Sequence, residues 1–182
     1  MLFRSSDYSR VEIPSYQRDY DWTIAEWEDL WGDLLAVVTS GGDYFIGPLN
    51  AERLATGNGI HVADGQQRIT SISILLSALR SYVQPGTQTV INDVLFAGSS
   101  DQDLDERPMR LVDQTSLGDT NIRRVLSANT MIPMDEVTSK HDRAFNYFHE
   151  QIQKNASVDR DVFALFILND VYFARVVAQD SG

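Results

Sequence analysis

The spacing of apolar residues divides the chain into a first half of strands, turns and two helices and a second half that is mostly helical. Alternation at residues 10–13 predicts a short strand, which runs into a loop at Pro14 because proline biases the preceding residue toward extended backbone. Thr23 and Glu26 have the spacing of a capping box. We therefore expect a helix that begins at Thr23 and ends at the glycine pair at 41–42.

Two further strands and a second helix complete the first half. Residues 44–54 and 60–63 are predicted to form a hairpin around a turn at 56–59, whose sequence Thr-Gly-Asn-Gly is typical of turns. The second helix has an apolar face at helical spacing, formed by Ile69, Ile72, Leu76, Leu79 and Val83. The Pro-Gly pair at 85–86 is predicted to end this helix.

The second half is predicted to be helical up to a final strand. Residues 90–96 fit either a strand or a helical turn, 98–106 are predicted to be an acidic loop, and 109–112 fit a strand. The last predicted elements are helices at 115–128, 136–154 and 158–168 and a strand at 171–178. The predicted fold class is therefore α+β.

Composition sets limits on size, compartment and partners. With 182 residues, of which 43% are hydrophobic, the chain can bury one sizeable core. No apolar run approaches the ~18–20 residues that span a bilayer, and the first ten residues lack the apolar core of a signal peptide, so we expect a cytoplasmic protein without a membrane partner. The absence of cysteine excludes thiol chemistry. A net charge of −11 argues against general affinity for nucleic acid and restricts any DNA contact to a local patch.

The most unusual polar segment is Asp64-Gly65-Gln66-Gln67-Arg68, between a predicted strand and a predicted helix. The first N–H groups of a helix are unpaired and lie at the positive end of its dipole, so anions bind readily there. A carboxylate, two amides and a guanidinium are groups that bind a phosphate or a nucleotide. Gly65 allows a close backbone approach, and Asp64 could hold a divalent ion. The alternative is that Asp64 only caps the helix and that the amide pair is exposed.

A second polar segment, residues 13–22 with the sequence IPSYQRDYDW, follows the first predicted strand. Its aromatic rings offer stacking faces for bases, and Arg18 beside Gln17 offers a phosphate fork. The alternatives are that Tyr20 and Trp22 are core anchors and that Gln17 and Arg18 belong to a solvated loop. Because both polar segments directly follow short strands, we expect them to lie at one edge of the sheet and to form a shared cleft.

Three segments in this order, IPSYQRDYDW, YFIGPL and VADGQQRITSISILLSALR, resemble the N-terminal domain of the GmrSD family of modification-dependent restriction proteins. The same domain occurs in SspE-type phosphorothioate-sensing defence proteins. Residues 144–148, Ala-Phe-Asn-Tyr-Phe, are similar to a weaker helical motif of the family. The resemblance covers nearly the whole chain, and it is specific in the first 80 residues and vague from 87 to 135.

The resemblance implies a small mixed sheet like that of ParB and sulfiredoxin, with flanking helices and a helical C-terminal half. It implies that residues 1–112 form a nucleotide-binding core and that residues 113–182 are a helical extension of the same domain that ends in a strand. It also implies binding and hydrolysis of a nucleoside triphosphate with Mg²⁺. This activity would control a nuclease in antiviral defence.

The resemblance assigns roles to the two polar segments. Asp64, Gln67 and Arg68 are implied to be catalytic, with Asp64 as a ligand of Mg²⁺. The residues implied to bind the nucleotide are Gly65, Gln66, Gln67, Arg68, Tyr16, Gln17 and Arg18. In phosphorothioate sensors, the stretch Tyr16-Gln17-Arg18 would also help to read the modified DNA backbone.

Two features of the family are missing from the sequence, a Phe-x-x-Leu-Asn-x-Arg-Gly segment and an HNH-type nuclease domain. We therefore expect a fragment of a longer protein whose nuclease is a C-terminal domain or a partner subunit, and no DNA cleavage by this chain alone. One alternative function is a non-catalytic module that senses modified DNA through Tyr16, Gln17 and Arg18. Another is a scaffold whose helical half docks partner domains.

Overall fold

The computed structural model describes residues 9–55, 58–99 and 101–178. Two residues of the predicted turn at 56–59, and most of the amino-terminal stretch on which the signal-peptide prediction depends, lie outside these ranges. The strands are β1 (Arg10–Ile13), β2 (Tyr44–Arg53), β3 (Gly59–Asp64), β4 (Leu111–Asp113) and β5 (Val171–Ala178). The helices are α1 (Ile24–Ser40), α2 (Gln66–Leu79), α3 (Pro85–Leu95), α4 (Gly118–Ser127), α5 (Lys140–Lys154) and α6 (Arg160–Asn169). Short 3₁₀ turns lie at Arg80–Tyr82 and Met134–Glu136.

The described part of the chain contains one mixed five-stranded sheet with the strand order β4-β1-β3-β2-β5. β1 is parallel to both β3 and β4, whereas β2 is antiparallel to β3 and parallel to β5. Together with the six helices, this sheet confirms the predicted α+β class. Because β3, β1 and β4 run in the same direction, their carboxyl ends lie at the same edge of the sheet, which we call the carboxyl edge.

Helix α2 lies at the centre of the core. Arg68 is the one residue of α2 that is not buried, and helices α3, α4, α5 and α6 contact α2. The buried hydroxyl groups of Ser71, Ser73 and Ser77 each donate a hydrogen bond to a backbone carbonyl, so their burial leaves no unpaired polar group. This packing holds the first turn of α2 in place. Within the described ranges, every helix is too short or too polar to cross a lipid bilayer.

Pro85 begins a helix rather than ending one, which corrects the prediction for the Pro-Gly pair. Helix α2 already ends at Leu79, and a 3₁₀ turn follows it. Proline is favoured at the first position of a helix because its φ is suited to the helix and its missing N–H is not needed there. Residues 90–95 belong to α3, so the open choice between a strand and a helical turn is settled as a helix.

Helices α4 and α5 begin later than predicted. Residues before α4 form a turn in which the Asp113 carboxylate accepts hydrogen bonds from the N–H and the hydroxyl of Thr115. Helix α5 starts at Lys140 because Ser139 and Asp142 form a capping box there. In both places, hydrogen bonds between side chains and backbone groups determine the residue at which the helix begins.

Candidate functional site

The two polar segments and the turn after β4 meet at the carboxyl edge. Strand β3 runs into residues 64–68, which we call the DGQQR turn, and β1 runs into residues 14–22, which we call the YQR loop. Strand β4 ends at Asp113, beside the end of β1. Parallel strands therefore deliver all three connections to one place.

Gln17 and Gln66 connect the YQR loop to the DGQQR turn. The Gln17 Nε2 donates to the carbonyl oxygen of Ala63 at 2.9 Å, and the Gln66 Nε2 donates to the Gln17 Oε1 at 3.2 Å. These bonds join residues almost fifty positions apart in the chain. They confirm the prediction that the two segments lie together at one edge of the sheet.

Gln67 holds the second half of the YQR loop. Its Oε1 accepts hydrogen bonds from the backbone N–H groups of Asp21, at 2.8 Å, and Trp22, at 3.3 Å. Its Nε2 donates to the carbonyl oxygen of Asp19 at 3.1 Å. Gln66 is buried and Gln67 is only 5% exposed, so the alternative of an exposed amide pair is wrong. The amide of Gln67 is committed to the backbone of the loop.

Gly65, not Asp64, precedes the first residue of α2. Its φ of +100° lies in the left-handed region, and a Cβ at this position would lie 2.9 Å from the Leu49 Cδ1 and 3.1 Å from the Pro48 oxygen. Glycine is therefore required here both for its positive φ and because a Cβ would be too close to Leu49 and Pro48. Since no side chain of the described residues caps α2, the alternative reading of Asp64 as the helix cap is wrong.

Asp64 is the exposed member of the DGQQR turn. Its carboxylate forms no hydrogen bond or ion pair with the residues that the structure describes. In the same part of the chain, no three His, Cys, Asp or Glu side chains are grouped so that they could hold a metal ion. Mg²⁺ is often held by only one or two carboxylates together with phosphate oxygens and water, so the chemistry of Asp64 suits a metal that arrives with a nucleotide.

Arg68 connects the DGQQR turn to β2, which carries the YFIGPL segment. Its Nη1 donates to the Pro48 oxygen at 3.0 Å, and its guanidinium lies against Gly47, whose φ is +122°. A Cβ on Gly47 would lie 2.8 Å from the same Nη1. The DGQQR turn therefore contacts both of the other segments that carry the resemblance.

The YQR loop has an inner and an outer side. The Tyr20 hydroxyl is buried, 2.7 Å from the Ser71 Oγ, and accepts a hydrogen bond from the Trp27 Nε1 at 2.8 Å. Burial raises the pKa of Tyr20, and its role as a core anchor is confirmed. On the outer side, Tyr16 is 74% exposed. Arg18 is also exposed and forms no hydrogen bond within the described ranges.

Residues of α5 complete the surroundings of the YQR loop. Lys140 forms an ion pair with Asp21 and also donates to its carbonyl oxygen. The ring of His141 packs on Tyr20 with 4.8 Å between the ring centroids. Burial lowers the pKa of His141 to about 4. Sequence reasoning did not identify these residues, although the Ser139-to-Asp142 capping pattern marks the helix start that presents them.

The profile of the family described as GmrSD restriction endonuclease, N-terminal domain, matches residues 1–182. No curated protein matches the chain. The profile match covers every residue of the site, from the YQR loop to the start of α5. The chain belongs to the GmrSD restriction endonuclease N-terminal domain family and carries the N-terminal domain of a restriction system.

Proposed function

We propose that this domain binds and hydrolyses a nucleoside triphosphate and thereby controls a nuclease domain or subunit of its restriction system. The observation that supports this most is the Gln67 amide, whose three hydrogen bonds join the DGQQR turn to the YQR loop. The joined segments lie at the carboxyl edge, and ligands commonly bind at the carboxyl ends of parallel strands.

The phosphate groups are proposed to lie at the start of α2. Gly65 and Gln66 offer backbone N–H groups there at the positive end of the helix dipole. Arg68 has four further N–H donors besides the one that binds Pro48. Asp64 offers a carboxylate that has no partner among the described residues and could hold Mg²⁺, which would neutralise phosphate charge when bound.

Gln67 is proposed to act by positioning the YQR loop, because its amide contacts loop backbone. Tyr16, Gln17 and Arg18 would then form the wall of the cleft opposite Asp64 and Arg68. Arg18 can contribute a second cation, since no hydrogen bond to the described residues restrains its guanidinium. The predicted catalytic roles of Asp64, Gln67 and Arg68 thus become metal binding, positioning and charge neutralisation.

Nucleotide binding and phosphate release test this proposal. We expect the purified domain to bind ATP or GTP with Mg²⁺ in calorimetry, and we expect Asp64→Asn and Arg68→Ala each to weaken binding at least fivefold. Asp29→Asn, which removes an exposed carboxylate on α1, is the matched control and is expected to bind like the wild type. Equal affinity of all four proteins, or no binding by any, would refute the proposal. Binding without phosphate release would limit the function to a nucleotide switch.

The outer side of the YQR loop supports a second candidate function, the sensing of modified DNA. Tyr16 presents an exposed ring and Arg18 an exposed cation on a loop that Gln17 and Gln67 hold in place. A rigid loop loses little entropy on binding. We expect a mobility shift on phosphorothioate duplex that exceeds the shift on unmodified duplex, and we expect Tyr16→Ala to abolish the difference. Indistinguishable binding to both duplexes would exclude this function.

A further inference from the structure

Two residues of β2, Gly47 and Pro48, form the surface on which the Arg68 side chain lies, and we call them the Arg68 seat. A Cβ at Gly47 would lie 2.8 Å from the Arg68 Nη1 and 3.0 Å from its Cζ, so the guanidinium occupies the space that a side chain at this position would fill. The Pro48 oxygen accepts a hydrogen bond from the same Nη1 at 3.0 Å. It also lies 3.1 Å from the position that a Cβ of Gly65 would take. The seat therefore lies close to both the glycine and the arginine of the DGQQR turn.

The backbone of the seat departs from a regular strand. Gly47 has a φ of +122°, in the left-handed region that favours glycine. The pairing of β2 with β5 shifts register between Phe45 and Gly47, and its pairing with β3 shifts between Asn50 and Ala51. Such bulges are frequent beside functional sites, where they change the direction of a side chain. The irregular segment of β2 thus coincides with the contact to Arg68.

The seat separates two opposite charges of the same turn. Asp64 and Arg68 are four residues apart and would neutralise each other as an ion pair. In the structure Arg68 binds Pro48 instead, and Asp64 forms no ion pair with the described residues. Both charges are therefore available to a ligand, the carboxylate for a metal ion and the guanidinium for a phosphate group.

We propose that Gly47 and Pro48 position the Arg68 guanidinium for the phosphate groups of the nucleotide, an inference that rests on the triphosphate site proposed at the start of α2. A guanidinium is planar and has five N–H donors, and the seat uses one of them. A long side chain that is already held loses little conformational freedom when a ligand binds, which favours binding about two- to tenfold. Gly47 acts through Arg68 and is therefore a positioning residue.

Glycine is needed at position 47 because the guanidinium would be displaced by any side chain there. The Nη1 and Cζ atoms belong to the end of a long, flexible side chain, whereas the strand around Gly47 is paired with β5. A Cβ would therefore move the guanidinium rather than the backbone. The result would be an arginine that keeps its charge, loses its bond to Pro48 and is free to pair with Asp64.

Calorimetric titration of ATP and of GTP with Mg²⁺ tests the seat through Gly47→Ala, made both in the wild type and in the Arg68→Ala protein. We expect Gly47→Ala to weaken binding about two- to tenfold in the wild type. In the Arg68→Ala protein it should cause no further loss, because no guanidinium remains to be displaced. A merely structural effect of Gly47→Ala would weaken binding equally in both proteins. Gly86→Ala, where a Cβ meets open space, is the control and should bind like the wild type.

Melting temperatures of the wild type, the two single variants and the double variant test the seat without a nucleotide. Gly47→Ala should lower the melting temperature in both backgrounds, because the positive φ strains any other residue. The decrease should be about 2–4 °C smaller in the Arg68→Ala background, since the hydrogen bond to Pro48 is already absent there. Arg68→Lys is a second test, which leaves Gly47 intact. It keeps the charge but not the planar group, and we expect it to weaken triphosphate binding at least about threefold.

The outcomes separate the seat from the proposed function. If Arg68→Ala weakens triphosphate binding but Gly47→Ala binds like the wild type, or weakens binding equally in both backgrounds, the seat is overturned and the function stands. Binding by Arg68→Lys equal to that of the wild type would also overturn the seat, because charge alone would then suffice. If the wild type binds neither nucleotide, the proposed function fails and the role of the seat toward phosphate fails with it. Unequal decreases in melting temperature would then show only that Gly47 holds Arg68.

Discussion

Replacing Gln67 by alanine tests whether its amide holds the YQR loop. The substitution removes three hydrogen bonds, two that Oε1 accepts from Asp21 and Trp22 and one that Nε2 donates to Asp19. A typical intramolecular hydrogen bond contributes about 0.5–1.5 kcal/mol net. Because Asp21 is exposed and Trp22 is half-buried, water can replace the lost acceptor. We therefore expect the free energy of unfolding to fall by about 2 kcal/mol, which is nearer the lower end of the summed contributions of the three hydrogen bonds.

Two measurements report the global and the local effect of Gln67→Ala. Urea unfolding followed by tryptophan fluorescence gives the change in the free energy of unfolding. Limited trypsin digestion follows cleavage after Arg18, which lies in the exposed part of the loop. If local opening becomes about 1.4 kcal/mol easier, cleavage at this bond is about tenfold faster. Gln151→Ala, at a partly exposed position of α5, is the control and should stay within about 0.5 kcal/mol of the wild type.

The result that would refute the reasoning is a Gln67→Ala protein with wild-type stability and wild-type cleavage after Arg18. Gln67 would then not hold the loop, and the backbone at Asp19, Asp21 and Trp22 would have to keep its conformation without these bonds. A loss of stability without faster cleavage would place the effect in the core instead.

Three further predictions concern stability. Burial lowers the pKa values of His141 and His149 to about 4 from an ordinary 6.5. Both histidines are therefore neutral in the folded protein, and their contribution to stability is complete above pH 6.5 and declines as the pH falls toward 4. Urea unfolding should show that the free energy of unfolding falls by about 2 kcal/mol per histidine between pH 7 and pH 5. Equal free energies of unfolding at the two pH values would contradict this prediction. Gly47 has a φ of +122°, and a Cβ there would lie 2.8 Å from the Arg68 guanidinium, so Gly47→Ala should lower the free energy of unfolding by about 1–3 kcal/mol. Gly86→Ala, where a Cβ meets open space, is the control. Equal melting temperatures of the two variants would contradict the prediction. Tyr16→Ala should change the free energy of unfolding by less than about 0.5 kcal/mol, because the ring is 74% exposed, and a larger loss would show that the ring has a packing role.

Local signals predicted the elements that local interactions define. The strand at residues 10–13 was predicted with the bounds that the structure has, because alternation and Pro14 act over a few residues. The first helix begins as expected, since Thr23 and Glu26 bond to each other. The shared edge also followed from sequence, because two strands that each precede a polar segment need only be parallel for those segments to meet.

The roles of the polar side chains were not predictable in the same way. Gln66 and Gln67 are hydrophilic residues at a helix start, and nothing nearby in the sequence says that their partners are residues 17 and 19–22. Such buried amide contacts form only when distant segments are brought together. The part played by Lys140 depends on the position of α5, whose start was predicted four residues too early.

The parallel pairing of the strands also determines how the chain must reach this structure. Strand β1 pairs with β3 across about 50 residues and with β4 across about 100, while β2 pairs with β5 across about 130. Closing such long loops costs entropy before any strand contact compensates for it. The domain should therefore fold slowly for its size. The side of β2 that does not pair with β3 remains an open sheet edge until β5 pairs with it. During synthesis this edge is the segment that a chaperone would need to shield from other chains.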